Sequence, residues 1–234
     1  MKNKKVLCFI PARGGSKSIP FKNIVSIKNK ELIKYTIDQA LKIEFFDKVI
    51  VSTDSKKIIN KISNYKLEKK FEIINRPKKY SLDSSSTEEA LNHTLKFLKT
   101  KFQYIPSYII ILEPTSPIRK ILTIKKFIKD VINNKKYNSF ISISYLSADP
   151  LYLNKKNELT FLRKNQPRRR QLRQKLFIEG CGMYGINYKK YIQSGRIITK
   201  PIYPFIVSKI ESIDINDNED LHLSEIILKN FTND

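Results

Sequence analysis

The chain has only two cysteines, Cys8 and Cys181, in 234 residues. A pair so far apart makes neither a disulfide framework nor a cysteine-rich metal cluster. Glycine and proline are few, 6 and 10, which excludes a low-complexity or collagen-like chain. No apolar run approaches the roughly 18–20 residues that a membrane helix needs. The basic opening Met1–Lys5 has the look of a signal peptide. The apolar run behind it, Val6–Ile10, is too short for one and is closed by Pro11 and Arg13. Together these absences lead us to expect a soluble, reduced, cytoplasmic protein with one domain spanning 1–234.

Acidic residues are also scarce, 22 against 45 basic ones, for a net charge of +23. Such a balance invites a nucleic-acid partner. Its make-up argues against one. Nine of the basic residues are Arg and 36 are Lys, spread along the whole chain. Lys, Asn and Ile all have codons built from A and T alone, so base composition can raise Lys without a partner. The one dense cluster is Arg163, Lys164, Arg168, Arg169, Arg170, Arg173 and Lys175, and it spends five scarce arginines.

Short apolar runs alternate with helical periodicity. Strands are expected at Val6–Ile10, Lys48–Ser52, Phe71–Ile74, Tyr108–Leu112, Phe140–Tyr145, Met183–Ile186, Ile202–Val207 and Ser212–Ile215. Helices are expected at Leu32–Lys42, Ser55–Tyr65, Ile124–Ile132 and Glu219–Lys229. Another should begin after Ser86, where Ser86-Thr-Glu-Glu89 fits a capping box. Residues 146–178 lose the pattern and carry the arginine cluster. Strands separated by helices imply βαβ units, a mostly parallel sheet and helices on both faces. In such sheets ligands bind beyond the carboxyl ends of the strands.

The first strand runs into Pro11-Ala-Arg-Gly-Gly-Ser-Lys-Ser-Ile-Pro-Phe-Lys-Asn23. Gly14 and Gly15 allow backbone amides to approach a ligand. Arg13, Lys17 and Lys22 bring cations to the same turn, and Ser16 and Asn23 add neutral donors. Amides with Arg and Lys make a phosphate cradle. The loop is neither a Walker loop nor a dinucleotide fingerprint. An ordinary glycine turn with stray lysines is the bland alternative; the scarcity of Arg and the place after strand one favour the cradle.

This loop resembles the PARGGSKGIPRKN signature of the acylneuraminate (CMP-sialic acid type) cytidylyltransferases. The resemblance continues through Val51–Asp54, Arg76-Pro, Asp83–Thr87, Leu112–Arg119, Arg169-Arg-Gln171 and Glu211–Ile215. The related Kdo enzymes have a first loop nearer PARYGSTRLPGK, so the nonulosonate branch fits better. The resemblance implies a three-layer Rossmann-like, mixed but mostly parallel sheet of the nucleotide-diphospho-sugar transferase type. It also implies a homodimer with a protruding arm at about 146–178. The partners implied are CTP and an acidic nine-carbon (or eight-carbon) sugar, with Mg²⁺ as cofactor and no membrane. The sugar's anomeric hydroxyl attacks the α-phosphorus and pyrophosphate leaves. Basic nucleic-acid binding, or a CTP-binding member that has lost catalysis, is the alternative.

By the same resemblance Ala12, Arg13, Gly14, Gly15, Ser16, Lys17, Asn23, Arg76 and Ser86 hold the nucleotide, with Arg13 and Lys17 on the triphosphate. Asp214 holds the metal and joins the catalytic set. Glu113, Arg169, Arg170 and Tyr184 face the sugar, whose carboxylate suits the planar guanidinium of Arg. Arg76 could equally be a surface ion pair, Ser86 a simple helix cap and Tyr184 a core residue. For Arg163, Lys164 and Arg173 a solvated loop is the preferred reading. Two positions depart from the family. Asn216 stands where a second acid is usual, leaving Asp217, Asp220 or phosphate alone to complete the metal site. Glu113 stands where the family has Gln.

Overall fold

A computed structural model of the chain describes residues 4–163, 167 and 169–230. Strand β1, Val6–Pro11, is the reason the sheet lies where it does. Its side chains Val6 to Ile10 are all buried, so both faces need cover. Val6, Cys8 and Ile10 face helices α1 (Leu32–Leu41) and α4 (Ile121–Asn133) through Ile33, Ile37, Ile124, Phe127 and Val131. Leu7 and Phe9 face α3 (Thr87–Phe102) and α5 (Tyr188–Ser194) through Leu91, Leu95, Leu98 and Tyr191. Each buried Leu, Ile or Phe contributes about 1.5–3 kcal/mol, so this alternation fixes which helix lies on which face.

The remaining strands of this sheet are β4 (Lys48–Thr53), β5 (Phe71–Asn75), β6 (Tyr108–Leu112), β7 (Ser139–Leu146), β10 (Leu176–Asn187) and β11 (Ile202–Ile206). Two-residue strands β2 (Ser26–Ile27) and β3 (Lys30–Glu31) form a small separate ribbon before α1. The order is β11-β7-β10-β6-β1-β4-β5. Within these seven strands β10 alone runs antiparallel, to both β6 and β7. The three-layer α/β architecture is therefore the one expected. Helix α2, Lys56–Lys61, is shorter than expected and passes into a 3₁₀ turn at Ser63–Leu67. The capping box forms as written: Ser86 Oγ accepts from the Glu89 amide, and the Glu89 carboxylate accepts from the Ser86 amide.

Three departures from expectation have physical causes. Ser212–Ile215 is not a strand. The Ser212 and Ile213 amides donate to Ser208 and Ile210 carbonyls, and the Ile215 amide donates to the Thr115 carbonyl. The apolar residues Ile213 and Ile215 pack instead into a third cluster with Ile118, Leu228 and α6, Asn218–Asn230. Strand β10 begins seven residues before the expected Met183, at Leu176. Residues 146–178 contain a hairpin of β8 (Leu151–Leu153) and β9 (Leu159–Phe161). Among the described residues no helix is long and apolar enough to cross a membrane.

Candidate active site

A cleft of about 400 Å³ opens beyond the carboxyl ends of β1, β5 and β6. Its first wall is the loop after β1. Ala12 is buried and its amide donates to the Ser52 carbonyl, 2.9 Å. The two glycines differ. The Gly14 amide donates to Asp54 Oδ1 at 2.9 Å, and a Cβ on Gly14 would lie 2.7 Å from Ser55 Cβ. Gly14 thus lets the loop pack on the turn after β4, and its amide is already engaged rather than open to a ligand. Gly15 has nothing within 4 Å of where a Cβ would stand, and it lines the cleft with Ser16 and Lys17. Asn23 Nδ2 donates to the Arg13 carbonyl, 2.9 Å, and ties the loop into a bend.

Arg13 and Lys17 converge on one carboxylate. Arg13 Nη1 lies 2.7 Å from Asp83 Oδ1, and Lys17 Nζ lies 3.2 Å from Asp83 Oδ2. Lys17 and Arg13 hold the Asp83 carboxyl below its ordinary range. All three side chains are exposed, and surface pairs of this kind are weak and easily exchanged for a stronger anion. Across the cleft, Arg76 follows β5 and is only 6% exposed. Its Nε has no hydrogen-bond partner among the described residues. Burial pushes its pKa down, against the favourable field of Asp54. Arg76 is therefore not the surface ion pair that was the alternative. Ser86 lines the same wall; its oxygen accepts in the capping box, which leaves its proton to donate.

The floor brings distant segments together. Lys22 Nζ donates to the Ile215 carbonyl at 2.8 Å, and Ser18 Oγ donates to the Asn216 carbonyl. Next to them Asp214 Oδ1 accepts from Ser116 Oγ, 2.9 Å, so the glycine loop and Asp214 share one side of the molecule. Asp214 sits in irregular chain, not at the end of the strand expected there. Asp217 and Asp220 are spent on the start of α6. Asp217 Oδ1 accepts from the Glu219 and Asp220 amides, and Asp220 Oδ2 from the Asn216 and Asp217 amides. Among the described residues no three His, Cys, Asp or Glu group as metal ligands. Glu113, at the end of β6, is pushed up to about 7, by burial first and then by the nearby Asp214, against Arg119.

Behind this floor β10 bulges between Glu179 and Tyr184. Cys181 and Gly182 have φ of 71° and 49°. A Cβ on Gly182 would lie 2.9 Å from Glu113 Cβ and from Ser116 Oγ, and one on Gly180 would lie 2.6 Å from Ser212 Cβ. Arg119, 0% exposed, secures the bulge. Its guanidinium donates to the carbonyls of Cys181, Gly182 and Glu113 and to Thr36 Oγ1. No carboxylate pairs with it among the described residues. It leaves a positive charge beneath Glu113 and Asp214.

The loop after strand one and Arg76 line one cleft, and Lys22 and Ser18 of that loop bond to the segment beside Asp214. The sequence pattern that defines the cytidylyltransferases matches residues 7–206. The chain belongs to the cytidylyltransferase family. Among its relatives is the pseudaminic acid cytidylyltransferase of Campylobacter jejuni (strain 81-176), 30% identical over 228 residues, with 96% of this chain and 97% of that one covered. The CMP-N,N'-diacetyllegionaminic acid synthase of Legionella pneumophila is 30% identical over 239 residues, covering 96% and 97%. In fold, the chain superposes on a CMP:2-keto-3-deoxy-manno-octonic acid synthetase solved with CTP. The TM-score is 0.70 at 15% identity, covering 97% of this chain and 99% of that one.

In this cytidylyltransferase the residues expected to face the sugar are divided. Glu113 and Tyr184 line a second, adjoining hollow, and Tyr184 donates to Glu179 Oε2 at 2.8 Å. Arg169 is exposed on the arm and does not line the cleft. Of Arg170 only the backbone is described, in a short 3₁₀ turn. Lys164 and Arg168 lie outside the described residues. Arg163 and Arg173 are not simply solvated: both pair with the largely buried Asp149 and tie together two ends of the 146–178 segment. Sequence reasoning passed over Asp54 and Ser116, although both lie inside the motifs quoted for the family. It also passed over Arg196, which no motif marks.

Proposed function

We infer that this cytidylyltransferase joins CMP from CTP to the anomeric hydroxyl of a nonulosonic acid and releases pyrophosphate. One observation carries the reading: the glycine loop is bonded to the 214–216 segment through Lys22 and Ser18, so a triphosphate in the loop lies beside Asp214. The relatives, a pseudaminic acid cytidylyltransferase and a CMP-N,N'-diacetyllegionaminic acid synthase, support a sugar of this class. Arg13 and Lys17 exchange Asp83 for the triphosphate and neutralise its charge. Arg76, with an unused donor, binds the nucleotide from the opposite wall, and Ser86 donates its free proton. Asn23 holds the loop in shape. Catalysis at phosphorus is mainly positioning and charge neutralisation, which these groups supply.

A magnesium ion fits this donor set in one way. Mg²⁺ is commonly bound by one or two carboxylates plus substrate phosphates. Asp214 has one carboxylate oxygen, Oδ2, without a hydrogen bond among the described residues, and Asn216 adds no charge. Asp214 would hold the ion together with the phosphates of CTP. When bound, it would neutralise charge on the leaving pyrophosphate.

The arm suits a second copy of the chain. Leu159 and Phe161 on β9 are 68% and 61% exposed, beside the exposed Leu151 and Leu153 on β8. Apolar side chains gathered this way mark an interaction surface. The function is tested by incubating the protein with CTP, Mg²⁺ and pseudaminic, legionaminic or N-acetylneuraminic acid, and following pyrophosphate. Release that depends on one of these acids supports the reading. CTP binding without release supports a member that has lost catalysis. Affinity for RNA or DNA that falls steeply with salt, with no turnover, supports the nucleic-acid alternative.

A further inference from the structure

The cleft does not end at Glu113. On the far side of Glu113 and Thr87, which line both spaces, lies a second hollow of about 260 Å³. A molecule lodged there reaches the triphosphate cleft across Glu113. Ile111, Tyr184, Arg196 and Ile197 line it.

The backbone on both sides of Arg196 is fixed. Gly195 ends α5 at φ 67°, its amide donating to the Tyr191 carbonyl at 2.8 Å. The Arg196 amide donates to Ser194 Oγ, and the amide of the buried Ile197 donates to Glu88 Oε1, 3.2 Å each. The Arg196 guanidinium makes no hydrogen bond or ion pair among the described residues. Glu88 and Glu113 stand in the same hollow, yet neither lies within ion-pair distance of it. An exposed cation lining a substrate-sized hollow, with its fork unused, suits a planar anion. Arg binds a carboxylate through two parallel hydrogen bonds, which the point charge of Lys does not reproduce. Among the described side chains of the 163–175 cluster, Arg163 and Arg173 are paired to Asp149, and Arg169 is away from the cleft.

We propose that Arg196 recognises the carboxylate of the acidic sugar from within the same chain, in a hollow that Tyr184 also lines. This rests on the reading of the cleft as the site of CMP transfer to such a sugar. The test uses whichever acid gives the highest rate of pyrophosphate release and its C1 carboxamide. With wild-type protein the carboxamide raises KM for the sugar about tenfold or more, the usual worth of a charge-assisted pair. Arg196→Ala raises KM for the acid by a similar factor and makes acid and amide equivalent, while the affinity for CTP, measured by calorimetry, is unchanged. Arg196→Lys recovers part of the loss. Turnover by wild-type protein together with an unchanged KM in Arg196→Ala overturns the assignment. The same holds if Arg169→Ala, and not Arg196→Ala, abolishes the distinction between acid and amide. If wild-type protein turns over none of the acids, the functional reading itself falls and the assignment of Arg196 falls with it.

Discussion

Arg13 and Lys17 illustrate how little a residue's type says until its partner is known. Both were legible as a phosphate cradle because Arg is scarce and the loop follows the first strand. That the two share Asp83 was not legible, because the pairing depends on where a distant loop lands. If the pair exchanges Asp83 for phosphate, Arg13→Ala weakens CTP about ten- to hundredfold by calorimetry. Lys155→Ala, an exposed lysine of the arm, leaves it within about twofold; equal effects would reduce the cradle to general attraction by a basic protein. Glu113 makes a second case. Its carboxyl is raised from 4.5 to about 7 by burial and by Asp214. A raised carboxyl favours the folded state below its unfolded pKa, and that contribution is lost as pH rises through about 7. Glu113→Gln removes the titration. Its stability relative to wild type should therefore rise between pH 5 and pH 8.5, by about 1–3 kcal/mol. Paired thermal melts across that range check it, and a difference that does not vary with pH would contradict it.

At the scale of elements, the sheet was readable because β1, β4 and β6 are apolar on both faces, a pattern that few other structures satisfy. The helix after Ser86 was readable from its capping box, a local hydrogen-bond exchange that needs no tertiary partner. Ser212–Ile215 misled for the opposite reason. Its Ile-Asp-Ile alternation imitates a strand, but Ile213 and Ile215 are buried by α6 and the Lys22 loop instead. The β10 bulge leaves no sequence mark beyond Gly180-Cys-Gly182, since its cause is the close approach of Glu113, Ser116 and Ser212. Gly182 has both a left-handed backbone and no room for a Cβ. Gly182→Ala is expected to cost about 1–3 kcal/mol by chemical denaturation. It should also raise KM for the sugar more than for CTP, because the bulge presses on Glu113. A fully stable variant with normal kinetics would show that the bulge is indifferent to the site.

For the whole molecule, the large positive charge was the most conspicuous feature of the sequence and among the least informative. The proposed chemistry of the cleft calls on a few arginines, on Lys17 and on Asp214, while most lysines serve the surface. Residues 146–178 stood out as a break in periodicity; the hairpin within them was not legible, because β8 and β9 lean on each other and leave apolar side chains outward. If a second copy covers them, Phe161→Asp converts a dimer to a monomer in light scattering at micromolar concentration. A wild-type chain that is monomeric under the same conditions would contradict this. The central claim is that the glycine loop and Asp214 act on one metal-bound triphosphate. Crystals grown with CTP and Mn²⁺, in place of Mg²⁺, test it through the anomalous signal of the metal. The account predicts one peak between the triphosphate and the Asp214 carboxylate, with Arg13 and Lys17 turned from Asp83 to the phosphates. A nucleotide bound elsewhere, or a metal that Asp214 does not touch, would contradict it.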